Sequence, residues 1–156
     1  MRTIVCGIDG TPGARAALRV ATKLAGALHL RVVAVHVVET LGGDQKLDEP
    51  PATLRLRGSA ERLLANVLFD EELLGRVEWQ AEVGNVAERV AAVAEDEGAL
   101  LILLGARSKG KAGTFLRSQL AEEIGATSPI PVVVVPPQIA SAEAPIPSPL
   151  SSAGVG

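Results

Sequence analysis

Aromatic side chains make up 2% of the 156 residues: Phe69, Phe115 and Trp79, with no tyrosine at all. Base stacking, on which single-stranded nucleic-acid platforms depend, therefore has almost nothing to work with. Cysteine is scarcer still. A lone Cys6 can form neither an intramolecular disulfide nor a thiolate metal site. Long hydrophobic runs are missing too, since uncharged stretches such as Ala99 to Ala106 fall far short of the roughly 18–20 residues that cross a bilayer. No surplus of positive charge exists either: 15 Lys and Arg face 18 Asp and Glu, a net charge of −3. A general DNA- or RNA-binding role would need a strongly segregated basic patch. Met1-Arg2-Thr3 runs straight into a strand-like segment instead of a signal-peptide pattern, so the cytoplasm is the expected compartment.

What the chain does have is aliphatic bulk: 47% of it is hydrophobic, supplied by Val, Leu, Ala and Ile. Its length fits one domain. The β-branched run Thr3 to Ile8 reads as a buried strand, and the turn formers Asp9-Gly10-Thr11-Pro12-Gly13 end it. Thr11 is the expected cap, Pro12 suits the first turn, and Ala14, Ala17, Leu18, Ala21, Leu24 and Ala25 recur at helical spacing to about Leu28. Leu30 to Val38 is almost uniformly apolar, as a strand covered on both faces should be. Residues 39–51 are polar and rich in Gly and Pro, a long surface loop, and helical periodicity returns from Leu54 to Leu68.

Strict alternation from Arg76 to Val83 predicts an edge strand with one solvated face. Asn85, with Glu88 three residues on, predicts the next helix start, and Val90, Ala91, Val93 and Ala94 its buried stripe. Ala99 to Leu104 is the fourth strand, Gly105 to Arg117 a Gly-rich loop, Ser118 to Ala126 a short helix, and Pro131 to Val135 the fifth strand. This alternation specifies a single three-layer α/β domain over residues 1–136, a five-stranded, mainly parallel sheet with helices on both faces. Residues 137–156, dominated by Pro, Ser and Ala, cannot bury a core and are expected to be a disordered tail.

In an open parallel sheet, ligands bind beyond the carboxyl ends of the strands. Asp9-Gly10-Thr11, Val37-Val38 and the Gly105 loop converge there. Arg107, Lys109, Lys111 and Arg117 place four cations and no acid in that last segment, which also feeds a helix N-terminus. A phosphate-bearing ligand is one reading and a solvated basic loop the other. Gly105 to Lys111 satisfies G-x-x-x-x-G-K, yet position 112 is Ala, so the hydroxyl that a P-loop uses for Mg²⁺ is missing. Asp9 lacks the companion acids of a phosphoacceptor, and capping of its own turn is compatible with ligand binding. His29 at a helix end is expected to meet terminal carbonyls, His36 to be a hydrogen-bonded core histidine, and Cys6 an inert packing residue. No complete catalytic set is signalled, and no metal site.

Val-Cys-Gly-Ile-Asp9-Gly-Thr, Val-His36-Val-Val, Gly84-Asn-Val-Ala, the loop from Gly105 and Pro129-Ile-Pro131-Val-Val-Val-Val together resemble the universal stress protein superfamily over residues 1–136. The resemblance implies the strand order 3-2-1-4-5. Its nucleotide-binding members carry G-x2-G-x9-G-(S/T) after the fourth strand and bind ATP by it. Here Gly105 keeps the first position, Ser108 replaces the second Gly, and Ser118-Gln119 stand at the end. Each Ser held at positive φ in place of Gly costs about 1–2 kcal/mol, roughly a tenfold loss of affinity. Carried over by position, Asp9 with Gly10 and Thr11 would meet the ribose and adenine side, Val37 the adenine, and Leu104 the base or ribose. Gly105, Arg107, Ser108, Lys109, Ser118, Gln119 and Leu120 would surround the phosphates.

What the resemblance implies is a cytoplasmic stress-response protein that binds ATP, or instead AMP or cyclic AMP, with Mg²⁺ accompanying ATP, and works as a homodimer through Pro131 to Val135. It is not expected to be an enzyme, although slow ATP hydrolysis stays open. Other family members lack the motif and do not bind ATP, so a nucleotide-independent dimeric interaction module of the same fold is the alternative.

Overall fold

A computed structural model describes residues 2–40, 50–106 and 111–136, with the side chains of 50, 51 and 111–118 left out of the description. Nine elements alternate: β1 (Thr3–Gly7), α1 (Pro12–Leu28), β2 (Arg31–Glu39), α2 (Pro50–Asp70), β3 (Glu78–Gly84), α3 (Val86–Asp96), β4 (Ala99–Gly105), α4 (Lys111–Thr127) and β5 (Val132–Val135). The five strands form one sheet in the order β3-β2-β1-β4-β5, and every pairing is parallel. Both expectations hold.

Because side chains alternate along a strand, the sheet buries two separate sets. Ile4, Cys6 and Ala34 face α1 and α2, meeting Leu18, Leu64 and Leu68. Val5, Val33, Val35 and Ile102 face α3 and α4, meeting Val90, Ala94 and Ile124. β1 lies between β2 and β4 and is buried at every position, which explains its unbroken apolar run. β3 forms one edge, as expected, but its burial does not follow the alternation: every position is partly exposed, Trp79 at 39%.

Local chemistry sets the helix ends. Thr11 Oγ1 accepts from the Ala14 amide at 3.2 Å ahead of Pro12, and Asn85 Oδ1 accepts from the Glu88 amide at 3.0 Å. Each satisfies an amide that the helix itself leaves without a partner. At the end of α1, His29 takes a left-handed conformation, φ 55°, and its backbone N–H reaches Ala25 O. The expected contact with terminal carbonyls is thus made by its main chain.

The amino-terminal end of the sheet is tied by Arg31, which donates to Glu78, to Glu97 and to the buried Thr3 hydroxyl. Arg19 clamps α1 to Glu71 just beyond α2 with two bonds of 2.7 and 2.8 Å. Neither cluster touches the carboxyl end, which stays open for other work.

One expectation is corrected. The segment to Arg117 was expected to be loop, with a helix only from Ser118, whereas α4 begins at Lys111. Lys, Ala, Phe, Leu and Arg are adequate helix formers, and a single Gly113 lowers propensity by about 1 kcal/mol without ending a helix. The expected 39–51 loop is shorter at both ends, since Glu39 closes β2 and residues 50 and 51 open α2; positions 41–49 and the tail 137–156 lie outside the described residues.

Candidate functional site

β1 stops at Gly7, and the next two residues build one side of the carboxyl end. The Ile8 amide donates to Val35 O at 2.7 Å. Its carbonyl lies 2.6 Å from His36 Nδ1. A carbonyl can only accept, so the His36 ring carries its hydrogen on Nδ1. His36 is the hydrogen-bonded histidine that its strand position suggested, held by the main chain just after β1.

Asp9 turns the chain into α1. Its Oδ1 accepts from the Thr11 amide at 3.0 Å and from the Thr11 hydroxyl at 2.6 Å, while that hydroxyl accepts from Ala14. Gly10 at φ 80° permits the bend. The carboxylate thus organises the turn and also faces the cleft described next.

That cleft, about 420 Å³, opens between α3 and α4 above the sheet. Gly7, Val35, Val37 and Leu104 make an aliphatic floor. The first turn of α3, with Asn85, Val86, Ala87 and Val90, forms one wall, and Gln119, Leu120 and Glu123 of α4 form the other. Ile8 and Asp9 after β1, with His36 and Glu39 of β2, complete the lining. Ligand pockets of small molecules typically span roughly 300–1,000 Å³ with mainly apolar walls and a few placed polar groups, and this one has both properties.

Of the residues nominated from sequence, Asp9, Val37, Leu104, Gln119 and Leu120 meet in this one cleft. Gly10, Thr11 and Gly105 do not line it; they shape what surrounds it. A Cβ on Gly105 would overlap the Gly13 carbonyl, and one on Gly13 would overlap the carbonyl of Ala106. The end of β4 is therefore packed main chain to main chain against the first turn of α1, a closeness that only two glycines allow. Arg107, Ser108 and Lys109 lie outside the described residues, and of Ser118 only the backbone, within α4, is described.

Sequence reasoning missed ten lining residues, of which Gly7, Ile8, Val35 and His36 were read only as parts of the first two strands. Asn85, Val86, Ala87 and Val90 were read as cap and core, and nothing local says that the start of α3 leans over β2. Glu39 and Glu123 are ordinary surface acids by composition. The i, i+1, i+4 spacing of Gln119, Leu120 and Glu123 would have grouped them on one helix face.

Several chemistries are closed to these residues. Cys6 is buried, and burial pushes its thiol from 9.0 up to about 12, so it is no nucleophile at neutral pH. Among the described residues no group of three or more His, Cys, Asp or Glu is arranged to hold a metal ion, and no helix is long and apolar enough to cross a membrane. The arrangement suits reversible binding: an apolar floor for a flat ring, with amide, carboxamide and carboxylate groups around it.

Comparison with known proteins agrees with this architecture. No curated protein sequence matches the chain. Among solved structures, a universal stress family protein from Burkholderia pseudomallei is 26% identical, covering 86% of this chain and 95% of that one, with a TM-score of 0.59. A universal stress protein in complex with cAMP is 18% identical, covering 86% of this chain and 96% of that one, with a TM-score of 0.63. The Archaeoglobus fulgidus universal stress protein in complex with dAMP is 16% identical at a TM-score of 0.54, over 86% of this chain and 97% of that one. The last two show the shared fold. Residues 1–136, everything from β1 to the end of β5, match the universal stress protein family, and the chain belongs to it.

Proposed function

We propose that the protein is a cytoplasmic stress-response protein that holds an adenine nucleotide, ATP or a related one, in the cleft at the carboxyl ends of β1, β2 and β4, and does not turn it over. One observation carries the reading: five residues nominated from sequence, Asp9, Val37, Leu104, Gln119 and Leu120, meet in a single cleft of about 420 Å³. The cAMP and dAMP complexes of similar proteins support the ligand class. With so few aromatics, the adenine ring is gripped by aliphatic side chains, Val37 and Leu104, and by main-chain polar groups. Asp9 takes the ribose side, and the cationic segment containing Arg107, Ser108, Lys109 and Ser118 takes the phosphates, with Mg²⁺ accompanying ATP.

Calorimetry with ATP, AMP and cyclic AMP tests this. Micromolar binding by the wild type is expected, weakened about tenfold by Asp9→Ala, the loss of about 1.4 kcal/mol. Asp9→Asn, which keeps an acceptor for Thr11, separates the ligand contact from the turn. No binding at millimolar ATP with Mg²⁺ refutes the proposal. Turnover that is abolished by changes at Lys109 or Lys111 with binding intact would make the protein an ATP hydrolase instead.

A second reading has its own observation. β5 is the second edge strand of the sheet and Val133 is 46% exposed, an apolar edge that favours strand pairing with a second copy through Pro131 to Val135. In this reading the protein is a dimeric interaction module, with or without nucleotide. A sedimenting monomer at high concentration counts against it.

A further inference from the structure

Phe69 at 69% and Leu54 at 68% are the most exposed large apolar side chains described, and both stand on α2. Leu54, Gly58, Glu61, Arg62, Ala65 and Phe69 recur at intervals of three and four residues, so they share one flank of that helix. Leu63 and Asp70 lie on the other flank, where Leu63 joins the core and Asp70 meets Arg15 of α1. The first flank therefore faces away from α1, over the outer side of β3.

Among the described residues, no strand pairs with that outer side of β3. Trp79 is level with Ala34, which belongs to the core under α1 and α2, and Ala81 packs against the same core. By alternation Trp79, Ala81 and Val83 share the face that carries α2. Arg57 of α2 reaches Glu82 at 3.9 Å, which ties the helix to this strand by a loose, exposed ion pair that a stronger contact can displace.

The geometry points to a second copy of this chain as the partner of this edge, with β3 pairing antiparallel to β3 about a two-fold axis at Ala81 and the two α2 helices meeting beside it. Both surfaces are self-complementary. In that register Trp79 faces Val83 of the second copy, Gln80 faces Glu82 and Glu78 faces Gly84, so no like charges are opposed. Moving the axis by one residue, to Gln80 or Glu82, sets glutamate against glutamate. On α2 the matching centre falls between Glu61 and Arg62: Leu54 meets Phe69, Gly58 meets Ala65, and Glu61 meets Arg62 twice, an opposite-charge pair on each side of the axis. The small Gly58 and Ala65 let the helices come close. An axis perpendicular to the sheet keeps both α2 helices on one face, so the strand and helix seams, each about 20 Å long, form together. The cleft between α3 and α4 lies on the opposite face and β5 on the opposite edge, so this contact leaves both free.

Trp79 is the sole tryptophan, and its emission moves to shorter wavelength when a partner covers it. The test follows that emission and sedimentation while the full chain is diluted, with the expectation that both change together as copies separate. F69E, at a position already exposed and therefore compatible with folding, should weaken association tenfold or more and leave Trp79 in its diluted state. E61R and R62E each oppose like charges twice and should weaken association roughly twofold to tenfold, and the double variant E61R/R62E should restore it. A change in helix propensity alone would give no such restoration. V133E, on the β5 edge, should leave the Trp79 shift in place. Identical emission and sedimentation of wild type and F69E at every concentration overturn the inference, and so does association that V133E abolishes and F69E leaves intact.

Discussion

Replacing Gly13 by alanine sets two effects against each other within one helix. Alanine is favoured over glycine in a helix interior by about 1 kcal/mol, so propensity alone predicts stabilisation. The added Cβ, however, would overlap the carbonyl of Ala106, which is main chain and has no rotamer to yield. Forcing an extra methyl into a close-packed contact costs about 1–3 kcal/mol, and a backbone obstacle puts this case at the upper end. Subtraction leaves a net loss of about 1–2 kcal/mol. Gly26, on the same helix, has nothing within 4 Å of its would-be Cβ, so Gly26→Ala should gain up to about 1 kcal/mol. Urea unfolding of both variants reads the sign directly, because a loss of this size lowers the midpoint by about 1 M or less at the slopes usual for small proteins. The contact also fixes the end of β4, where Leu104 forms part of the cleft floor, so Gly13→Ala should weaken nucleotide binding and Gly26→Ala should not. A stabilised Gly13→Ala would refute the close approach.

Two further outcomes follow from local features. Cys6 binds its proton more tightly in the folded state, about 12 against 9.0, so stability is fully present below pH 9 and falls by about 1.4 kcal/mol per pH unit as pH rises toward 12. Unfolding followed against pH should show this slope flattened in Cys6→Ala, and thiol reagents should label the native protein only on unfolding. Asn85→Ala removes the cap of α3 and should destabilise by about 1 kcal/mol in thermal unfolding, with Asn85→Asp restoring most of it.

What could be read from residues alone was whatever is encoded locally or by period. Thr11 with Pro12, and Asn85 with Glu88, marked helix starts because a cap acts within three residues. The alternation from Arg76 to Val83 marked an edge because a strand with one face on the core and the other in water alternates apolar and polar residues. The lower strand order came from the family pattern, since no local signal says that β1 lies between β2 and β4. The start of α4 was misread because Gly110 and Gly113 suggested a loop where propensity summed over the segment favours helix. The α3 wall and Glu123 escaped notice for a different reason. Their membership of the site depends on how two helices pack across one face of the sheet, and the mutual approach of Gly13 and Gly105 likewise joins residues far apart in sequence.

The central claim is that the cleft between α3 and α4 is an adenine-nucleotide site. Mass spectrometry of the small molecules released on denaturing freshly purified protein tests it most directly, with Asp9→Ala purified in parallel. The account predicts an adenine nucleotide, carried by the wild type and depleted in the variant. Wild-type protein that releases none, and whose melting temperature is unmoved by millimolar ATP, AMP or cyclic AMP, would contradict it.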